Sequence, residues 1–238
     1  MRAWIMSDLH IDSGDVAAFS PHPEVDVIIM AGDLCDGDHD PLPWLLSTFT
    51  NSERERMIFV PGNHEAYGLG IQALPAFLRR LRDEAGIVTL SRQTAEIGGK
   101  RFVGCTQWSD LAQFAEVGVG DLVHIPDFSG AMWRSIHADE RAWLEQTVRA
   151  GDIVVTHHAP SYEGLAVDMQ HELRLLAQSS AYYADFHQLI ARANPALWVH
   201  GHTHVTRRYS VAGVPIATNG RGRGSAHGYV EDFVVDLP

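Results

Sequence analysis

The stretch Val27-Ile28-Ile29-Met30-Ala31-Gly32-Asp33-Leu34-Cys35-Asp36 decides how the rest of the chain reads, because an unbroken apolar run stops in it at a glycine and two carboxylates. The run shows no apolar/polar alternation, which predicts a central parallel strand covered on both faces. Gly32 lets the backbone turn sharply where the strand ends. Asp33 then falls at a strand's carboxyl end, where open α/β sheets collect ligands. A lone Gly-Asp would read as a turn whose aspartate bonds its own backbone. Its neighbours along the chain change that reading.

On the amino-terminal side, a strand over Arg2 to Ser7 delivers Asp8-Leu9-His10. Two side chains one residue apart in an extended segment share a face, so Asp8 and His10 are expected to reach one ion. On the other side a helix follows, with Asp40 as N-cap and Pro41 at its first position, running through Trp44, Leu45, Leu46 and Phe49. The next strand, Met57 to Val60, completes a βαβ unit and ends in Pro61-Gly62-Asn63-His64-Glu65. A helix from Ile71 to Ala85 sets Leu74, Phe77, Leu78 and Leu81 on one stripe and is closed by Gly86. Arg79, Arg80 and Arg82 on its other side read as a solvated face. Short alternating runs from Ile87 to Cys105, hinged at Gly98-Gly99, predict a second sheet. Trp108 to Phe128 carries no periodic signal.

Farther on, a helix from Ala138 to Val148 leads to the strand Ile153-Val154-Val155, which delivers Thr156-His157-His158. Ser161 to Ser179 is polar and reads as partly helical; a helix is expected from Ala181 to Ala193. Leu197-Trp198-Val199 runs into His200-Gly201-His202-Thr203-His204. Strands over Thr206 to Ser210, Val214 to Thr218 and Tyr229 to Leu237 close the chain, with Arg221 and Arg223 in a glycine-rich loop between them.

The 238 residues, 45% of them hydrophobic, suit a single α/β domain over 1–238. No run is long enough to span a bilayer, and the first strand begins too early for a signal peptide, so a cytoplasmic protein without a membrane partner is expected. A formal net charge of -12 makes nucleic acid an unlikely partner, although bound cations would offset part of that charge. Cys35 and Cys105, in or beside apolar runs, read as buried small hydrophobes.

Five strand ends carry polar clusters: Asp8/His10, Asp33, Asn63/His64, His157 and His202/His204. Strand ends on one edge of a parallel sheet lie near one another. Imidazole, carboxylate and amide oxygen without thiolate suit divalent Mn, Fe or Zn. There are too many donors for one ion. Two ions a few ångström apart need a bridging carboxylate, and such pairs serve in-line displacement at phosphorus.

In order and spacing, Asp8-Leu9-His10, Gly32-Asp33-Leu34-Cys35-Asp36, Gly62-Asn63-His64-Glu65, His157 and Gly201-His202-Thr203-His204 resemble the signature blocks of the calcineurin-like metallophosphoesterases. The resemblance implies an α/β four-layer sandwich of two mixed β-sheets flanked by helices. It implies two divalent metal ions (Mn, Fe or Zn), one held by Asp8, His10 and His204 and the other by Asn63, His157 and His202. Asp33 would bridge them, with hydroxide as the second bridge and nucleophile. His64 would assist the leaving group, its ring oriented by Asp36 or Glu65, and the substrate would be a small phosphate ester. Protein serine/threonine phosphatases place an arginine where Gly37 stands, which argues against a phosphoprotein substrate. Monoester and diester stay open. A metallo-β-lactamase-type hydrolase would want an Asp-His pair after the His-Thr-His, and Val205-Thr206-Arg207 follows instead. The remaining alternative is a non-catalytic scaffold that binds a protein partner; the chain keeps every signature position. His158 should point away from its neighbour His157. His200 reads as a satisfied histidine, and Arg221 or Arg223 as phosphate anchors or loop residues.

Overall fold

The computed structural model describes residues 1–14, 16, 19, 21–112, 118–166, 179–223 and 228–238. The apolar strands do alternate, in packing partner rather than in polarity. In β1 (Arg2–Met6) and β2 (Val27–Ala31), Trp4, Met6, Ile28 and Met30 pack outward with Leu45, Phe77, Leu78 and Leu81. Ala3, Ile5, Val27, Ile29 and Ala31 pack the other way, against Phe102, Ile153, Val155 and Val199. Both faces are buried, as the unbroken run requires.

The first sheet is ordered β11-β1-β2-β3-β4, with β3 (Met57–Val60) and β4 (Val88–Thr89) parallel to β2. β11 (Val234–Asp236) lies antiparallel to β1. The second sheet is ordered β5-β6-β7-β8-β10-β9. Its strands are β5 (Gln93–Ile97), β6 (Lys100–Cys105), β7 (Ile153–Thr156), β8 (Leu197–His200), β9 (Thr206–Val211) and β10 (Val214–Asn219). Helices α1 (Leu42–Thr48), α2 (Asn51–Arg54) and α3 (Leu74–Ala85) accompany the first sheet. Against the second, Leu144 of α5 (Gly130–Thr147) and Leu189 and Ile190 of α6 (His187–Ala193) pack on Val103, Val154 and Trp198. The result is two mixed sheets face to face with helices outside, the expected α/β four-layer sandwich. Among the described residues, no helix is long and apolar enough to cross a membrane.

Several boundaries differ from the sequence expectation. Val88–Thr89 joins the first sheet, because Leu90 N–H donates to Phe59 O at 2.8 Å and β4 pairs with β3. The carboxyl-terminal strand is the short β11, and it also belongs to the first sheet. Helix α5 begins at Gly130, well before Ala138, capped by Ser129 Oγ on Met132 N–H at 3.3 Å. Its buried stripe is Trp133, His137, Glu140 and Leu144; two polar residues on that stripe hid its period. Conversely, Ala181–Asp185 is not helical: Ala159 N–H donates to Tyr182 O and Ala184 N–H to Ala159 O, so this backbone pairs with the loop after β7. Helix α2 went unread, although Thr50 and Glu53 form a full capping box. Most of the Ser161 to Ser179 expectation falls on 167–178, outside the described residues.

Candidate metal centre

The carboxyl ends of β1, β2 and β3 from one sheet and β7 and β8 from the other meet at one seam. There the first two loops keep pairing: Asp8 N–H donates to Gly32 O at 2.9 Å and His10 N–H to Asp33 O at 3.1 Å. The seven expected ligands converge, but not as an extended Asp8-Leu9-His10 would place them. Asp8 (φ 53), His10 (φ 44), Asp33 (φ 56), His202 (φ 65) and His204 (φ 50) all lie in the left-handed region. The chain curls at each strand end, and that curl rather than strand alternation aims Asp8 and His10 inward. Asp and His tolerate this conformation better than most side chains, and such backbone collects at functional sites.

Two groups of donors result. Asp8, His10, Asp33 and His204 form one, with His10 Nε2 3.3 Å from His204 Nε2 and His204 Nε2 3.4 Å from Asp8 Oδ1. The other is built on His157 Nε2, which lies 2.9 Å from Asn63 Oδ1, 3.2 Å from His202 Nδ1 and 3.3 Å from Asp33 Oδ2. Donors about 2.1 Å from one ion lie roughly 3.0–3.4 Å apart, so both sets suit a divalent cation. Asp33 Oδ2 belongs to both. It stands 3.9 Å from His10 Nε2 and 3.9 Å from His64 Nε2, is buried, and has no hydrogen-bond partner among the described residues. A buried carboxylate oxygen left bare among imidazoles is what a cation would satisfy.

The electrostatics agree. Burial works against ionisation of Asp33 and Asp8, yet the positive field of His157 and His64 holds Asp33 well below the ordinary value. The hydrogen bond and charge of His204 hold Asp8 below it too. Burial is the largest influence on His157 and lowers it, but the charges of Asp33 and Asp8 and the Ala31 carbonyl together outweigh it and push His157 up to about 10, and the hydrogen bond and charge of Asp8 raise His204 against its burial. Burial keeps His10 down at about 4 and His202 well below its usual range, so both are neutral and fit to ligate. A cation would displace the proton on His157.

His64 stands at the rim. Its Nδ1 lies 2.6 Å from Asp36 Oδ1, leaving Nε2 toward Asp33 Oδ2. Burial would lower its pKa, but Asp33 and Asp36 outweigh that and raise it. Of the two expected orienters, Asp36 has the place. Glu65 does something the sequence did not suggest: its Oε1 accepts Leu34 N–H (2.8 Å) and Cys35 N–H (3.4 Å), and its Oε2 accepts Gly62 N–H (2.6 Å) and Asp33 N–H (3.1 Å). It clamps the loops after β2 and β3 together. Burial and Asp33 push its carboxyl up to about 7 against the pull of those donors.

Two further side chains were missed. Asp121 in the short helix α4 (Asp121–His124) accepts Asn63 Nδ2–H at 2.6 Å and Tyr67 O–H at 2.7 Å, and Tyr67 stacks on His64 with ring centres 4.0 Å apart. Asp121 comes from the stretch without periodicity, so no pattern announced it. With Tyr182 it lines a cavity of about 260 Å³ that opens onto Asp33, His64 and His202. His158 is fully buried behind His202, 4.1 Å away ring to ring. His200 is tied to Gly201 O and to the Tyr209 hydroxyl. Arg223 lies against Asp36 at 2.5 Å and Asp12 at 3.2 Å, and Arg221 Nη1 donates to Leu9 O. In this arrangement both guanidinium groups hold loops. Both cysteines are buried, and burial raises their thiols, so neither joins the donor set.

Known proteins share the family and the fold. Residues 1–206 match the calcineurin-like phosphoesterase family profile. An uncharacterized protein of Acanthamoeba polyphaga mimivirus is 24% identical over 195 residues, covering 71% of this chain and 68% of that protein. Among solved structures, the phosphopantetheinyl hydrolase of Mycobacterium tuberculosis superposes with a TM-score of 0.67 at 22% identity, over 92% of this chain and 89% of its own. A dimetal phosphatase of Danio rerio gives 0.51 at 14% identity, over 96% and 90%. These two likenesses show the fold, and the profile, which spans most of the sequence, shows the family. The chain belongs to the calcineurin-like phosphoesterases.

Proposed function

We propose that this protein is a dinuclear metal-dependent phosphoesterase acting on a small phosphate monoester or diester. The observation that carries the reading is Asp33 Oδ2, shared by both donor groups and without a hydrogen bond among the described residues. Asp8, His10 and His204 would hold one divalent ion (Mn, Fe or Zn), Asn63, His157 and His202 the other, and Asp33 both. Ions there supply Lewis acidity toward water and positive charge toward a phosphoryl group. The chain's own residues do the rest. Asp36 accepts the His64 Nδ1–H and fixes the ring, and with Asp33 it favours the imidazolium, whose second proton sits on Nε2 toward the cage. His64 delivers that proton to the leaving oxygen as the ester bond breaks. Tyr67, stacked on the His64 ring, limits its rotation and dries one side of it.

The test is hydrolysis of p-nitrophenyl phosphate and bis-p-nitrophenyl phosphate by protein reconstituted with Mn, Fe or Zn. Cleavage of either supports the reading, and their ratio separates monoesterase from diesterase. No cleavage with any of the three metals overturns it in favour of a binding scaffold.

A further inference from the structure

Asn63 has two chemically different ends, and only its oxygen can ligate a cation. A side-chain amide that turns over about its last bond exchanges that oxygen for an NH₂ group, with almost no change in shape. Something must hold it one way round. In this protein the NH₂ end points away from His157, and Nδ2 donates to Asp121 Oδ1 at 2.6 Å. A carboxylate accepts and does not donate, so Asp121 is satisfied by the amide nitrogen and repels the amide oxygen. The same Oδ1 accepts the Tyr67 hydroxyl at 2.7 Å, and Tyr67 is the stacking partner of His64. Asp121 is 5% exposed and Asn63 2%, so solvent does not substitute freely for either bond.

We infer that Asp121 is a positioning residue: its carboxylate locks the Asn63 amide with its oxygen toward the cation site shared with His157 and His202, and through Tyr67 the same oxygen steadies His64. The inference rests on the reading of Asn63 as a metal ligand. Partners of this kind behind a metal ligand are worth roughly 10–100-fold in metal affinity. The lock needs an oxygen acceptor, not a charge. In Asp121→Asn the Tyr67 hydroxyl still donates to the oxygen at this place, which keeps the new amide turned with its oxygen toward Asn63 Nδ2; alanine presents nothing.

The experiment is calorimetric titration of metal-free protein with Mn²⁺ for wild type, Asp121→Ala and Asp121→Asn, with thermal unfolding of each metal-free variant alongside. Expected are two sites in wild type, one of them weakened roughly 10–100-fold in Asp121→Ala, and that site returned to within about threefold in Asp121→Asn. The metal-free unfolding temperatures should not account for the loss. Asp121→Ala with both wild-type affinities would overturn the lock and leave the dinuclear reading standing, as would equal loss in Asp121→Asn. A wild-type protein that takes up no second ion would overturn both.

Discussion

Glu65→Gln tests how the two central loops are held. Glu65 accepts four backbone N–H groups, two on each oxygen, with the shortest bond of each pair at 2.8 Å (Leu34, Oε1) and 2.6 Å (Gly62, Oε2). Glutamine keeps the shape but replaces one oxygen with NH₂. Whichever way the amide turns, one pair of buried N–H groups then faces a donor, so neither rotamer spares both loops. A hydrogen bond to a charged group contributes about 1.5–3 kcal/mol, and an orphaned buried donor costs about 1–3 kcal/mol. With one short bond and one long one lost, the expected cost is about 3 kcal/mol. For a chain of this size each kcal/mol moves the unfolding midpoint by about 2–4 °C, so a fall of about 6–12 °C is expected. The assay is thermal unfolding by circular dichroism of metal-free wild type and Glu65→Gln, which keeps any loss of metal out of the comparison. A midpoint within about 2 °C of wild type would refute the clamp.

Three further outcomes follow from the site and its surroundings. His64→Ala should keep both metals by elemental analysis while losing about 10²–10⁴-fold in turnover, most with poor leaving groups; undiminished turnover of an alkyl phosphate would count against the proton-donor role. Asp33→Asn removes the charge shared by both donor groups and should purify with less metal than wild type, so normal metal content would remove Asp33 from the centre. Glu140 is buried, accepts Trp108 N–H at 2.8 Å, and is pushed up to about 7 by burial, so the fold holds its proton where the unfolded chain has released it. That contribution is complete below about pH 4.5 and lost as pH rises through about 7, in total about 3 kcal/mol. Glu140→Gln should flatten this part of the stability profile between pH 5 and 8 in urea titrations; an unchanged slope would mean that Glu140 titrates normally.

The order of the clusters was legible because each apolar run stops at a glycine or polar pair, and strand ends of parallel sheets gather on one edge. Core strands were legible for the same reason, since apolar runs bounded by turn residues leave little else to be. What escaped depends on contacts between distant residues. Glu65 reaches back to Leu34 and Asp33, and Asp121 reaches back to Asn63 and Tyr67, and no local period encodes either. Helix α5 was cut short because His137 and Glu140 occupy its buried stripe, where a reader of periodicity expects apolar side chains. Asp8 and His10 do fall in one donor group, but strand alternation does not bring them there. Alternation along a strand assumes φ near the extended region, whereas positive φ in a loop is decided by what the loop must reach.

Gly37 ties the clamp to the wall beside His64. A Cβ built at this position would come 2.3 Å from Glu65 O and 2.9 Å from Tyr67 O, both backbone atoms that cannot swing aside. No side chain, and least of all an arginine, fits there unless the loop carrying Glu65 and Tyr67 moves. Those two residues hold the Asp33 loop and flank His64, so such a movement would reach the clamp and the ring packed on His64 together. The missing arginine is therefore more than one substitution away. A chain with arginine at this point needs a different path for the loop after β3, and with it a different wall beside His64. In this protein that wall is closed by backbone and an aromatic ring, and the cavity beside it is lined by Tyr67 and Tyr182.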